Sequence, residues 1–152
     1  MTQEARLSAV LGFRDLVFVE RYLRDSQGLW QAYAIDEAPR HPPGLGKAVN
    51  AALEAPWPDI SPAWAELISP ILKRTKMSSN RRFVTRSTRA SVRLSDGLLT
   101  VTPWKPDGVG GYSGVLGGPS YELRDPTPSE LGSSILRALV DSANFPDRPK
   151  QR

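Results

Sequence analysis

The sequence has 152 residues, no cysteine, one histidine and a formal net charge of +4. A chain of this length is expected to fold as a single domain with its own hydrophobic core, and without cysteine it can form neither disulfides nor cysteine-based zinc sites. It shows no signal-peptide pattern and no run of about eighteen apolar residues, so it predicts neither secretion nor a membrane span and favours the cytoplasm.

The positive charge is confined to one part of the sequence. Residues 1–72 contain nine acids and six Lys or Arg residues, a net charge of −3, whereas residues 73–95 contain eight Lys or Arg residues and no acid. Residues 96–152 contain seven acids and six bases. The basicity is therefore a local feature that can attract an anionic partner, and the protein is not uniformly cationic.

Two strands are predicted in the first part of the chain. Residues 16–23 are rich in β-branched and aromatic residues, and residues 29–35 continue this pattern after a turn at residues 25–28. The two ends of the chain, residues 1–15 and 146–152, are expected to be poorly ordered.

Two helices are predicted before the basic segment. Apolar residues at helical spacing indicate a helix near residues 45–54. A second helix, near residues 61–74, is expected to begin with Ser61 as its N-cap and Pro62 at its first position. Trp57 and Trp64 are possible anchors of a protein interface, but Trp64 lies on the apolar stripe of this helix, so we expect it in the core.

A β-hairpin is predicted within and after the basic segment. Residues 90–95 alternate between apolar and polar, residues 98–102 form a second strand, and the Asp96-Gly97 pair between them is a strong hairpin signal. Arg89 and Arg93 occupy polar positions of this alternation. They are therefore interpreted as part of the solvent face of a half-buried hairpin.

The last part of the sequence predicts a loop, a short strand and a helix. Residues 107–119 contain six glycines and indicate a long turn or loop, and residues 120–124 indicate a strand. Thr127 is followed by Glu130 in the pattern of a capping box. This pattern predicts a helix over residues 128–142.

Together these elements predict an α+β fold in which a mainly antiparallel central sheet is packed by about three helices.

Both halves of the sequence contain a strand, a Pro-containing turn and a helix that begins with Leu-Gly, at Leu45-Gly46 and Leu131-Gly132. This is either an internal strand-turn-helix repeat or a chance likeness of two amphipathic helices. Because glycine is unfavourable inside a helix, its presence at both places indicates a close approach to the neighbouring sheet.

No catalytic or cofactor-binding motif is complete. The glycine-rich segment lacks the glycine that a nucleophile elbow requires at Val115, and it does not fit the dinucleotide fingerprint. Gly46-Lys47 lacks the remainder of a P-loop. His41, the single histidine, lies in a Pro-rich turn and is interpreted as a surface residue without a task. The sequence thus predicts no catalytic residue, no metal site and no cofactor, and it favours a protein that acts by binding.

The second half of the sequence resembles a family of bacterial contact-dependent growth inhibition (CDI) immunity proteins. The residues that carry the resemblance are 92–103, the glycine-aromatic stretch 110–112 and the helix at 128–139. In that family a β-hairpin, a glycine-rich segment and a strand similarly precede a helix of this type. The resemblance covers the chain from about residue 82 to residue 142.

The resemblance implies a cytoplasmic protein that binds the C-terminal toxin domain of a CDI effector, often a nuclease, and has no catalytic residues of its own. The toxin contacts are expected among charged residues, which are acidic if the toxin is a basic nuclease and basic if its surface is acidic. The acidic candidates are Asp36, Glu37 and Asp59, and the basic candidates are Arg81, Arg82 and Arg86.

A small nucleic-acid-binding protein is the alternative function. The basic run over residues 73–93 would contact phosphates, and Phe83 and Trp104 are nearby aromatic residues that would stack on bases. The two functions differ in their expected response to salt, because phosphate contacts release counterions on binding.

Overall fold

The computed structural model describes residues 4–106, 112–114 and 120–144. Its strands are β1 (Arg6–Phe13), β2 (Leu16–Arg24), β3 (Trp30–Ala38), β4 (Thr88–Ser95), β5 (Leu98–Pro106), β6 (Tyr112–Gly114) and β7 (Tyr121–Arg124). Its helices are α1 (Pro42–Glu54), α2 (Trp64–Thr75), α3 (Asn80–Arg86) and α4 (Pro128–Asn144). Most of the predicted glycine-rich loop, including Gly110 and Gly111, and the C-terminal residues 146–152 lie outside the described residues.

The strands form one antiparallel sheet in the order β3-β2-β1-β4-β5, and both β6 and β7 pair with β5. Helices α1 and α4 pack on one face of the sheet, and α2 and α3 pack on the other. The predicted α+β class with a mainly antiparallel sheet is therefore confirmed, and the short helix α3 is added to the three predicted helices. No helix in the described part of the chain is long and apolar enough to cross a membrane.

The strand β1 lies in the segment for which the sequence predicted poor order. It pairs with β2 on one side and with β4 on the other, and Ala9, Val10 and Leu11 are at most 1% exposed. Its side chains pack against a layer of helices on each face, so the strand lacks the polar-apolar alternation by which an exposed strand is recognised. The expectation of disorder is therefore wrong for the whole of β1.

The start of α2 also differs from the prediction. Ala63 is the N-cap and makes no side-chain capping bond, whereas the Ser61 hydroxyl donates to Gln31 Oε1 at 2.9 Å. Trp64 is 40% exposed and does not belong to the core. Because Ser61 is held by β3, the helix begins later and its first side chain turns toward solvent.

The other predicted local signals are confirmed. Asp96 and Gly97 have φ values of 50° and 76°, as a two-residue hairpin turn requires. The Glu130 backbone N–H donates to Thr127 Oγ1 at 3.2 Å, and the Thr127 N–H donates to Glu130 Oε1 at 3.1 Å. This reciprocal capping box lowers the pKa of the Glu130 carboxyl. His41 lies on the surface as expected, but the expectation that it has no role is wrong, because its Nδ1 accepts from the Gly44 N–H at 3.2 Å and caps α1.

The fold consists of two similar halves. The first is β1-β2-β3-α1 and the second is β4-β5-β7-α4, and strands β1 and β4 pair at the centre of the sheet. A Cβ atom on Gly46 would lie 1.9 Å from the carbonyl oxygen of Pro128, and one on Gly132 would lie 1.9 Å from that of Pro42. The close approach is thus between α1 and α4, not between a helix and the sheet as predicted. This reciprocal contact favours the duplication over a chance likeness.

Candidate functional site

A cavity of about 740 Å³ opens on the face of the sheet that carries α2 and α3. We call it the groove. Its size is within the range of pockets that bind ligands or partner side chains. Trp30, Trp64, Asn80 and Tyr112 line it together with alternate residues of the central strands. The residues that β4 and β5 contribute are Arg89, Ser91, Arg93, Thr100, Thr102 and Trp104.

The floor of the groove contains a buried ion pair. Glu20 is 0% exposed, and its Oε1 accepts from Nη1 of Arg89, whose side chain is 16% exposed. Arg89 Nη2 donates to Tyr22 Oη at 2.8 Å, and Tyr22 Oη donates to Glu20 Oε2 at 3.0 Å. Both carboxylate oxygens are therefore occupied within a closed network.

Arg89 and Tyr22 of this network and the neighbouring Tyr112 have altered pKa values. Burial and the neighbouring Glu20 carboxylate raise the pKa of Tyr22 well above its ordinary value, and burial raises the pKa of Tyr112 to about 12. Burial alone would lower the pKa of Arg89, but the Glu20 carboxylate and Tyr22 outweigh it, so the net shift is upward. The Arg89 guanidinium lies 5.1 Å from the centre of the Tyr112 ring and remains charged.

We expect stability to fall between about pH 10 and about pH 12, because Tyr112 ionises near 10.0 when unfolded and near 12 when folded. Over this interval the folded state binds more protons than the unfolded state, so raising the pH favours unfolding. Chemical denaturation at several alkaline pH values measures the free energy of unfolding and gives its slope against pH. The Tyr112→Phe variant should show a smaller slope, and an unchanged slope would mean that Tyr112 ionises normally in the folded protein.

Three tryptophans, Trp30, Trp64 and Trp104, line the groove. Trp30 makes an edge contact with Trp57, with their ring centres 6.0 Å apart. Trp64 Nε1 donates to Asn80 Oδ1 at 3.3 Å, and Trp104 Nε1 donates to Ser91 Oγ at 2.7 Å. Their indole N–H groups are thus satisfied inside the protein, and the faces and edges of the rings are left for a partner.

Two exposed aliphatic residues are close to these tryptophans in the sequence. Leu29 precedes Trp30 and is 59% exposed, and Ile60, in the loop before α2, is 82% exposed. Large exposed apolar side chains are typical of protein interfaces. The sequence analysis named Trp57 and Trp64 as possible interface anchors but did not identify the groove, because its members come from segments far apart in the chain and follow no common period.

The charged residues proposed from the sequence lie outside the groove. Asp36 and Glu37 are neighbours on β3 and form ion pairs, Asp36 with Arg21 at 3.9 Å and Glu37 with Arg74 at 2.9 Å. Asp59 is exposed in the loop between α1 and α2. The three basic candidates, Arg81, Arg82 and Arg86, are exposed on α3, directly after the groove residue Asn80. The structure therefore places the six candidates on three separate elements.

Two residues of the basic run over residues 73–93 form ion pairs, and the other six are exposed. Arg74 is paired with Glu37 at the end of α2, and Arg89 is buried with Glu20, so its interpretation as a solvent-facing residue is wrong. Phe83 is 0% exposed and stacks on Phe13 at 5.4 Å, which excludes it from base stacking. Of the features proposed for nucleic-acid binding, Arg93 and Trp104 remain accessible in the groove.

The groove offers little for catalysis. Its one lining carboxylate, among the residues that the structure describes, is Glu20, which is fully buried and bonded through both oxygens. In the same described ranges, no group of three or more His, Cys, Asp or Glu residues is arranged to hold a metal ion. The arrangement is suited to binding, with rigid rings, a cation and several hydroxyl groups.

The fold is similar to two solved structures over nearly its whole length. One is a protein of unknown function, NMB0488, from Neisseria meningitidis, with 15% identity and a TM-score of 0.74 over 92% of this chain and 96% of that one. The other is a chain of the CdiA-CT/CdiI toxin and immunity complex from Yersinia pseudotuberculosis, with 16% identity and a TM-score of 0.70 over 93% of this chain and 99% of that one. No protein-family model and no curated protein matches the sequence. The predicted resemblance to CDI immunity proteins is confirmed at the level of the fold.

Proposed function

We propose that this protein is an immunity protein that binds and neutralises the C-terminal toxin domain of a contact-dependent growth inhibition effector. The observation that carries this proposal is the match of almost the entire chain to a chain of a CdiA-CT/CdiI toxin and immunity complex. Because identity is 16%, the match concerns the fold, and the role and the partner are inferred.

The groove supports a role in binding a protein. Its tryptophans are of the residue type that anchors interfaces, and Leu29, next to Trp30 in the sequence, is exposed. The sequestration of Glu20 supports inhibition without catalysis or a cofactor. A protein that neutralises its partner by occupying a surface needs complementarity of shape and charge, and it needs no reactive group.

We further propose that the toxin is a nuclease and that the protein acts in the cytoplasm, where a nuclease meets its substrate. Within this proposal the candidates at residues 36, 37 and 59 contact the periphery of the toxin and steer its approach if the toxin is a basic nuclease, and those at residues 81, 82 and 86 do so if its surface is acidic. Peripheral charges of this kind mainly change the rate of association, whereas buried anchors set the rate of dissociation.

Co-expression with the toxin domain encoded beside this gene tests the function. We expect growth to be rescued, and we expect the purified pair to form a complex of about nanomolar affinity across an interface of roughly 1,200–2,000 Å². Titration at about 50 and 200 mM salt is expected to change the association rate more than the dissociation rate.

The opposite results would reject the proposal. The first is that co-expression fails to rescue growth. The second is that the protein alone binds RNA or DNA with an affinity that falls by about a thousandfold or more over the same salt range. Both results together are required. They would favour the nucleic-acid-binding alternative, which then relies on the exposed bases of residues 73–93 and on Trp104.

A further inference from the structure

We infer that the groove receives a segment of the toxin domain in which an acidic side chain stands beside a large apolar side chain. The carboxylate binds Arg93, and the apolar side chain packs between the tryptophan rings. This inference rests on the proposed function and specifies the chemistry of the partner.

The charge of the groove favours an acid. Among the residues that the structure describes, the charged side chains lining the groove are those of Arg89, Arg93 and Glu20, and Glu20 is paired with Arg89. The pair is neutral as a unit, so the exposed Arg93 gives the groove its net positive charge. A cation in a cavity with low-dielectric walls attracts a carboxylate more strongly than the same cation on a flat surface.

The sheet register places a second donor beside Arg93. Thr100 of β5 is the direct cross-strand partner of Arg93 of β4, and both side chains line the groove. A carboxylate has two oxygens and accepts several hydrogen bonds, so one acid can accept from the guanidinium and the threonine hydroxyl together. Cross-strand pairing therefore favours a carboxylate over a ligand with a single acceptor.

The tryptophans favour a large apolar neighbour for this acid. Trp64 and Trp104 are fixed by the hydrogen bonds of their indole nitrogens, and Trp30 is held against Trp57. Rings that are already immobilised lose little conformational entropy on binding. A phenylalanine, leucine or similar side chain between them would bury its surface while the indole N–H groups of Trp64 and Trp104 keep their hydrogen bonds.

Two blocked peptides test the preference directly, one with glutamates on both sides of a phenylalanine and one with lysines in their place. We expect the glutamate peptide to perturb the NMR signals of Arg93, Thr100 and the tryptophan side chains in a saturable manner, and the lysine peptide to leave them unchanged. Equal perturbation by both peptides, or perturbation outside the groove alone, would overturn the inference.

Variants of the full chain test the same contact in the complex with the neighbouring toxin domain. Arg93→Glu and Trp64→Ala are each expected to weaken the complex about tenfold or more, and Arg93→Lys is expected to weaken it less than Arg93→Glu. Arg124→Glu, at an exposed position of β7 outside the groove, is the matched control and is expected to change affinity less than about threefold.

The outcomes separate this inference from the proposed function. Growth rescue and tight binding that persist in Arg93→Glu and Trp64→Ala would overturn the inference and leave the immunity role intact. Absence of any complex with the toxin domain, while the glutamate peptide still binds the groove, would overturn the immunity role and support the acidic preference. Displacement of the glutamate peptide by a short single-stranded oligonucleotide would overturn the inference in favour of a nucleic-acid site.

Discussion

Replacement of Arg89 by alanine is expected to lower the free energy of unfolding by about 3–5 kcal/mol, because it leaves a buried charge without its partner. Glu20 is 0% exposed and receives hydrogen bonds from Arg89 and Tyr22. Without Arg89 the carboxylate keeps one neutral donor, the Tyr22 hydroxyl. Equilibrium denaturation with urea measures the change, provided that a single cooperative transition is retained.

A second arginine-glutamate pair provides the matched control. Arg74 and Glu37 are 2.9 Å apart, with side chains 54% and 46% exposed, so Arg74→Ala is expected to cost less than about 1 kcal/mol. The double variant Glu20→Met/Arg89→Met is expected to recover part of the loss, since an apolar pair of similar volume needs no compensating charge, while the Tyr22 hydroxyl loses both of its hydrogen-bond partners. Equal costs for Arg89→Ala and Arg74→Ala would show that the Glu20 site is hydrated.

The sequence predicts those parts of the fold that are specified by neighbouring residues. The β4-β5 hairpin follows from Asp96-Gly97, and the start of α4 follows from Thr127 and Glu130, because each signal acts within a few residues. The strand β1 has no such signal. Its order comes from pairing with two strands and from packing on both faces, which are tertiary effects.

The site is less predictable than the fold because its contacts join distant segments. Glu20 and Arg89 meet across β1, which lies between β2 and β4, so their contact depends on a strand that the sequence prediction omitted. The alternation around Arg89 correctly placed Ala90 and Val92 on the opposite face of the sheet. It cannot reveal that Tyr112 and a layer of helices cover the polar face as well.

The helices α1 and α4 share one backbone contact that neither helix can adjust alone. The Gly46 position faces the carbonyl of Pro128 and the Gly132 position faces the carbonyl of Pro42. The first turn of each helix is thus held against the first turn of the other. Since both neighbours are backbone atoms, a side chain at either glycine can be accommodated only if the helices separate.

Gly132→Ala is accordingly expected to destabilise the protein by about 3 kcal/mol or more, although alanine is the better helix former, because overpacking forces the two backbones apart. Gly46→Ala should cost a similar amount. The double variant should cost less than the sum of the two, because one separation of α1 from α4 relieves both clashes.

Ser133→Ala, at the next and exposed position of α4, is the control and is expected to change stability by no more than about 0.5 kcal/mol. Thermal and urea denaturation of the four variants provide the measurement, and a Gly132→Ala protein as stable as the Ser133→Ala protein would show that the helices are not in contact at this point.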